Sequence, residues 1–381
     1  MKVLVVSHTY VSPINREKWI VFSQKYPNID VKVLIPNFWP ATLFDLKAGD
    51  LKKYNSKNCE FISIDTFRTG NEVLYGYRWR KLAKLLRAFN PDLVHVEQGD
   101  NAFSYFQLIF LSKLFLKKTK FTFFTWVNWK EKRSLKYKMF WQFIEKINLY
   151  FSDAAFVGNQ RAREILQLKK FKKPIKVLLQ LGVNEKVFVP AKKVEHKKTK
   201  YVCFIGRIIE QKGIFLLVDA FADLAKRYKD WNLKFVGNGD SYNKLISYIS
   251  KKKLTDRIEF NDVVKHEKIS KILRKIDILV LPSFDTPKWK EQFGHVLIEA
   301  MATKIPVVGS SAGNIPNVIG SAGLVFEQKN KNYLKKCLER LMCDEKLRQT
   351  IGEKGYQRYQ NEFSYNVIAE KMYQFWEEKI I

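Results

Sequence analysis

Short apolar runs rich in β-branched and aromatic residues recur along this chain, and longer amphipathic stretches separate them. In the first half the runs are Val3–Ser7, Val31–Ile35, Phe61–Ile64, Leu93–Val96, Phe121–Thr125, Ala154–Val157 and Lys176–Leu179. Their length and residue types read as strands. Between two of them, "RWRKLAKLLRAF" from Arg78 to Phe89 places apolar residues at helical spacing, and Asn90-Pro91 stops it. Near-continuously apolar strands alternating with amphipathic helices predict a parallel sheet with helices on both faces.

The rhythm breaks at "VPAKKVEHKKTK", Val189 to Lys200, which is basic, polar and without periodicity, and reads as a linker. It then restarts with "YVCFIG", "LKFVG", "RIEF", "IDILVLPS", "IPVVGS" and "GLVFE" as six strand candidates separated by helices. The fold class that follows is α/β, with two Rossmann-like doubly wound parallel-sheet domains facing across a cleft. Residues 1–188 form the first domain, 189–200 the linker and 201–362 the second domain. Residues 363–381 form a terminal amphipathic helix expected to cross back to the first domain. Open parallel sheets bind ligands beyond the carboxyl ends of their strands. The arrangement therefore predicts a two-substrate enzyme or a binding protein that closes on a hinge.

Composition changes this picture mainly through charge. A chain of 381 residues suits two cores better than one. Hydrophobic content of 46% argues against disorder. Cys59, Cys203, Cys337 and Cys343 are scattered without a CxxC pair, which argues against a disulfide framework or a cysteine metal site and fits a reducing, cytoplasmic compartment. "MKVLVVSHTY" has an apolar core of only Val3–Val6 and no small-residue cleavage site, so it reads as a first strand. The apolar run Phe103–Leu116 is too short to span a bilayer and contains Lys113. The anomaly is 68 basic against 38 acidic residues, a net charge of +30. Residues 1–182, with 32 basic and 14 acidic, carry +18 of it. Nucleic acid, an anionic membrane and a phosphorylated substrate are all suitable partners for such an excess. A codon bias toward lysine accounts for the same excess without any partner.

Two stretches carry candidate chemistry. In "FIGRIIEQKG", Gly206 permits a sharp turn at a strand end, Arg207 follows it, and Lys212 lies at the start of the next helix. Two cations flanking a glycine turn at a strand edge suit a diphosphate, which needs positive charge from more than one side. Alternatively the turn is an ordinary surface turn with solvated cations. In "KEQFGHVLIEAMATKIPVVGSSAGNIPNVIG", Lys290 to Gly320, Glu291 lies in the loop ahead of a helix expected over His295–Thr303, and Glu299 lies on that helix. The amides around Gly294 to Leu297 would be unpaired in the first turn and, with the helix dipole, offer an anion site. A phosphate there leaves the two acids to accept hydrogen bonds from hydroxyls, a ribose on one side and a sugar on the other. The plainer alternatives are an exposed helix carboxylate for Glu299 and, for Glu291, a charge that stabilises the helix start by a few tenths of about 1 kcal/mol.

The pairing of "GR…EQKG" with an E-x7-E element followed by "AMATKIPVVGS" resembles the retaining family 4 glycosyltransferases of the GT-B fold, the glycosyl transferases of group 1. "SHTYVSPINREKW", "PDLVHVEQ", "FFTWVNW", "GNQRAREIL" and "GVNEKVFVP" extend the likeness over nearly the whole chain. The resemblance implies that Arg207 and Lys212 hold the donor diphosphate and that Glu291 contacts the donor sugar. It places Phe293, Gly294, His295, Val296 and Leu297 over the phosphates, Glu299 on the ribose and Val264 near the base. It also implies transfer without a bound metal or cofactor, and no Asp-x-Asp motif occurs in the sequence. Helix amides and cations would then stabilise the leaving group. The implied enzyme is a retaining hexosyltransferase in cell-surface polysaccharide, lipopolysaccharide or glycolipid synthesis, with a UDP- or GDP-sugar as the expected donor and a glycan or lipid-linked acceptor.

The sequence departs from that family in places. Its first loop lacks the usual Gly-Gly. The strand "FTFFTWVNW" carries Trp126 and Asn128 where many members have a histidine, which leaves His8 and Tyr10, with Trp126 and Asn128, as acceptor-side candidates. Lys304 stands at the usual glycine, where a helix C-terminus favours a cation, and Asn317 stands where a glutamate is common.

The segment Lys130–Phe151 spaces Leu135, Met139, Phe140, Phe143, Ile144 and Ile147 helically among lysines and Arg133. A basic aromatic helix of this kind suits an anionic membrane surface on the inner face of the membrane, though an ordinary helix packed on the sheet has the same pattern. A GT-B-fold epimerase or phosphorylase is the alternative within the architecture. A nucleic-acid-binding protein would explain the charge but not the carboxylate pair. A nicotinamide dehydrogenase would need a glycine fingerprint that "VVSHTYVSP" lacks.

Overall fold

The structure, a computed structural model, describes the chain except residues 41–45, 117, 128–134, 191–198 and 288, and describes only the backbone of residues 135–139 and 267. Asn128, Lys132, Arg133 and most of the expected linker therefore lie outside the described residues. The chain parts into two compact units: Met1–Gly182 with Tyr365–Ile381, and Val183–Ser364.

The first unit is built on a seven-stranded parallel sheet. Its strands are β1 (Lys2–Val6), β2 (Asp30–Pro36), β3 (Cys59–Ile64), β4 (Leu93–Val96), β5 (Lys120–Thr125), β6 (Ala154–Val157) and β7 (Ile175–Val177), in the spatial order β3-β2-β1-β4-β5-β6-β7. The register sets Val5 beside Val33 on one side and His95 on the other. The burial of β4 and β6 at every position explains why these strands read as continuous apolar runs. The covering helices are α1 (Glu17–Lys25), α2 (Trp79–Phe89), α3 (Phe103–Phe115), α4 (Leu135–Phe151) and α5 (Gln160–Leu168).

The second unit repeats the plan with six parallel strands: β8 (Lys200–Ile205), β9 (Trp231–Val236), β10 (Ile258–Asn261), β11 (Ile278–Leu281), β12 (Val307–Ser310) and β13 (Leu324–Phe326). Their order is β10-β9-β8-β11-β12-β13. Both sheets thus run 3-2-1-4-5-6 from the first strand, the doubly wound order whose switch point lies between the first and fourth strands. The helices here are α6 (Ile214–Ala225), α7 (Tyr242–Lys251), α8 (His266–Leu273), α9 (His295–Ala302), α10 (Ile315–Ile319), α11 (Lys331–Cys343) and α12 (Glu345–Glu362). The terminal helix, α13 (Tyr365–Lys379), belongs to the first unit, where Trp376 is buried and stacks on Trp19 at 6.5 Å.

Every one of the thirteen sheet strands coincides with an apolar run in the sequence. Two small antiparallel pairs, Phe38–Trp39 with Leu46–Lys47 and Thr66–Phe67 with Gly76–Tyr77, had no such signal because each strand is two residues long. On α4 the helical apolar spacing does not all point inward: Trp141 and Ile144 are buried, whereas Phe140 and Phe143 are exposed. Among the described residues no helix is long and apolar enough to cross a membrane.

Lys304 explains why a glycine is the natural occupant of its position. It follows α9 in a left-handed conformation with φ +61°, and its carbonyl packs so closely on Gly352 that a Cβ there would meet it at 2.2 Å. Its ion pair with Glu353 at 2.6 Å is solvent-exposed and worth little. Lys304→Gly is therefore expected to raise unfolding stability by about 1 kcal/mol, whereas Lys304→Ala gains nothing, as measured by urea denaturation.

Candidate functional site

Of the residues singled out in the second unit, Lys212 and Glu291 meet at its switch point. β8 ends at Ile205, Gly206 and Arg207 follow, and a short 3-10 turn carries Lys212 to the start of α6. Gly213 caps that turn with φ +71°, and a Cβ there would lie 1.9 Å from the Pro282 carbonyl oxygen. Only a bare α-carbon lets the first βα turn close on the end of β11. Phe284 then donates its amide to Gln211 O at 2.9 Å, which holds the two loops side by side.

This closure places Lys212 against Glu291. The Lys212 Nζ donates to Glu291 Oε2 at 2.5 Å, and the Ser283 hydroxyl donates to the same oxygen at 3.0 Å. Glu291 is 8% exposed, and the Asn314 amide donates to its backbone carbonyl at 3.0 Å. The Lys212 ammonium also lies 5.3 Å from the centre of the Trp289 ring. Glu291 is thus a positioned, nearly buried carboxylate and not a solvated helix-start charge. Arg207 is exposed, two residues past the end of β8.

α9 begins at Gly294, which has φ +80°. One expectation for this turn needs correction. The Leu297 amide is already taken by Gly294 O at 2.9 Å, so the anion-binding capacity of the turn lies in its earlier amides. Phe293 is buried against Phe363 at 6.0 Å and against the His295 ring at 5.0 Å, while Gly294, His295 and Val296 are partly exposed. Burial holds the His295 imidazole below its ordinary value, outweighing the pull of Glu299 and Glu291 toward the charged form. Glu299, one turn further, is 5% exposed and not the solvated side chain that a helix surface would give. His266 Nε2 lies 2.5 Å from its Oε1. His266 begins α8, two residues after the partly exposed Val264. It was missed in the sequence because α8, the strand β11 and a long loop separate it from its partner. Among the described residues, no group of three or more His, Cys, Asp or Glu side chains gathers to hold a metal.

In the first unit the switch point carries a second polar cluster that sequence reasoning also missed. Glu97, just past β4, accepts from Lys18 Nζ at 2.5 Å, from the Tyr10 hydroxyl, and from Gln180 Nε2 at 3.3 Å. His95 Nε2 lies 3.2 Å from Glu97 Oε1. Lys18 and Glu97 are both fully buried. Burial works to raise the Glu97 carboxyl, but Lys18 and His95 beside it hold it down to about 2. Burial keeps the His95 imidazole below its ordinary value. Tyr10 is wholly buried in this cluster, so of the acceptor-side candidates it serves Glu97. His8 stacks on Trp39 at 4.3 Å with its Nε2 3.5 Å from Glu72. Trp126 donates Nε1 to Gln180 Oε1 at 2.8 Å, and its ring lies over Gly158, where a Cβ would fall 2.0 Å from it.

Comparison with known proteins gives this geometry a family context. A family model described as glycosyl transferases group 1 matches residues 168–358, half of the chain. An uncharacterized glycosyltransferase of Methanocaldococcus jannaschii is 29% identical over 204 residues, 53% of each chain. A capsular polysaccharide biosynthesis glycosyltransferase of Staphylococcus aureus is 28% identical over 44% of this chain and 43% of its own. The chain thus spans about half the length of these relatives. The crystal structure of Anabaena HepE in complex with UDP has a TM-score of 0.70 over 99% of this chain and 100% of that one, at 14% identity, which establishes the shared two-sheet GT-B fold.

The Glu97 cluster yields a prediction about acid stability. Its folded value of about 2 lies below the ordinary carboxylate range, so its contribution is complete above about pH 4.5 and is lost as pH falls toward 2. Neutral His95 acts in the same direction, since it too must take up a proton in acid. Glu97→Gln, which leaves Lys18 buried beside a neutral amide, is expected to lose about 3–5 kcal/mol at pH 7. Urea denaturation of both proteins from pH 7 to pH 2 checks this: the variant curve should lie lower and run flatter below pH 4.5.

Proposed function

Because the chain belongs to the glycosyl transferases group 1, we propose that it moves a sugar from a nucleotide diphosphate sugar to an acceptor hydroxyl with retention at the anomeric carbon. The observation that carries the donor reading is the Lys212–Glu291–Ser283 cluster beside Arg207 and the start of α9. A carboxylate fixed by a cation at a switch point has the chemistry for both ends of such a donor.

In this reading the diphosphate lies against Arg207, Lys212 and the first amides of α9. The bond between the anomeric carbon and the diphosphate oxygen breaks, and the acceptor oxygen forms the new bond as its proton passes to the departing diphosphate. Negative charge grows on the departing diphosphate, where two cations and a helix N-terminus are already in place. Glu291 accepts hydrogen bonds from sugar hydroxyls. Glu299, held by His266 through one oxygen, has lone pairs left for the ribose hydroxyls. The transfer uses no metal cofactor, since Arg207 and Lys212 supply the charge that a divalent ion would. The UDP complex of Anabaena HepE and the capsular role of the Staphylococcus aureus relative support a nucleotide donor and a cell-surface glycan acceptor.

Glu291→Gln is expected to lower transfer by about 100-fold or more. Arg207→Ala should weaken donor binding by about 10-fold to 150-fold, the loss of one charge-assisted contact. Melting shifts with UDP-, GDP- and ADP-sugars, followed by product analysis, provide the measurement. Full transfer by the Glu291 variant would refute the site assignment. Product that is an epimerised donor or a sugar phosphate would refute the transferase reading.

A further inference from the structure

A cavity of about 1020 Å³ opens in the first unit. It lies at the amino ends of β5, β6 and β7, among the C-terminal ends of α3, α4 and α5, on the sheet edge opposite to the Glu97 cluster. Among the described residues eight lysines line it, against Asp153 as the one acid in its wall. Part of this charge has local work. Lys169 pairs with Asp100 and Glu145 at 2.5 Å each, Lys120 lies 3.4 Å from Asp153, and Lys173 donates to the carbonyls of Tyr150 at 2.6 Å and of Ser152. Cations at helix C-termini are favourable on their own account. That accounting leaves Lys118, Lys146, Lys170 and Lys172 as further lining cations in a region already rich in positive charge. The crowding is felt: Lys173 is held below its ordinary value by burial and by repulsion from Lys113 and Lys120, against the opposite pull of Asp153.

The surroundings of the cavity are apolar. On α4, Phe143 and Tyr150 are 60% and 74% exposed and share a face with Lys146, at spacings of three and four residues. On α3, Phe110 and Leu114 are 52% and 62% exposed, one turn apart and next to Lys113. Leu168, at the end of α5, is equally bare beside Lys169. A soluble anion would need the lysines but not these side chains. An interfacial layer needs both, because phosphates neutralise the cations while amphipathic aromatics and Leu settle at headgroup depth.

We propose that this face of the first unit docks on an anionic lipid bilayer, with lipid phosphates seated in the lysine-lined cavity and Phe110, Leu114, Phe143 and Tyr150 in the interfacial layer. It moves the membrane-facing charge from the start of the α4 segment, where Lys132 and Arg133 were expected to act, to the C-terminal end of that helix. It does not depend on the donor reading, since none of its residues belongs to the second unit.

Co-sedimentation of the full chain with vesicles tests it. The protein should bind phosphatidylcholine vesicles containing about one-third phosphatidylglycerol and not pure phosphatidylcholine, with binding falling as salt rises. Lys146→Glu with Lys172→Glu should weaken binding by about 100-fold, roughly tenfold or more for each reversed charge, and Phe143→Ser with Tyr150→Ser should weaken it without altering its salt dependence. Both variants should keep the wild-type melting temperature and nucleotide-induced melting shift, which separates lost docking from lost fold or lost donor binding. Unchanged vesicle binding by the lysine variant would overturn the proposal. So would displacement of the protein from vesicles by millimolar inorganic phosphate alone, or tighter binding to RNA than to the anionic vesicles.

Discussion

The ion pair between Lys212 and Glu291 is the contact on which the second unit's functional edge depends. It joins two loops that leave neighbouring strands on either side of the switch point. Neither charge could remain there alone, because removing one partner from a nearly buried pair leaves the other uncompensated. The pair is possible only because the Gly213 turn closes on Pro282, and it brings Trp289 and Ser283 with it. The two groups satisfy each other. On the proposed donor reading, a diphosphate sugar would replace this mutual neutralisation with contacts to both, so binding need not begin from an unpaired charge.

The architecture was legible because parallel strands buried on both faces cannot hide their composition. Each sheet strand has an apolar run at its centre, and the breaks at Asn90-Pro91 and at Gly206 fall where the chain turns. Arg207 and Lys212 could be singled out because they follow a strand end that had already been placed, and Glu291 and Glu299 because they flank a predicted helix start. Two-residue hairpin strands carry no periodicity and stayed invisible. So did partnerships made at a distance. Nothing near Lys18 announces Glu97, and nothing near His266 announces Glu299. Such pairs exist only once the strand order is known. Helix-surface patterning misled in a different way. The apolar spacing on α4 is real, but part of it faces outward, and a pattern of residue types does not say which side has a neighbour.

The two sheets have the same order and put different chemistry at the same topological place. At the switch point of the second unit the polar groups stand at the surface or close to it, as Arg207 and the first turn of α9 do. At that of the first unit, Lys18, His95, Tyr10 and Glu97 are sealed in, so their charges organise the loops and are not offered to a ligand. The strong positive charge of the chain is likewise not a uniform coat. Part of it stands at the carboxyl edge of the second sheet, as Arg207 and Lys212 do, and part collects at the amino edge of the first.

The indole of Trp126 packs against Gly158, at a strand end where the family resemblance leads one to expect a histidine. These two positions behave as one unit of evolutionary change. An indole at the first demands a bare α-carbon at the second. A histidine brought in alone would leave a void over the glycine and lose the bond that steadies Gln180. The exchange therefore has to pass through a poorly packed intermediate or through two coordinated substitutions. Chains that carry this tryptophan should keep a glycine at position 158, a signature that can be looked for in sequences alone.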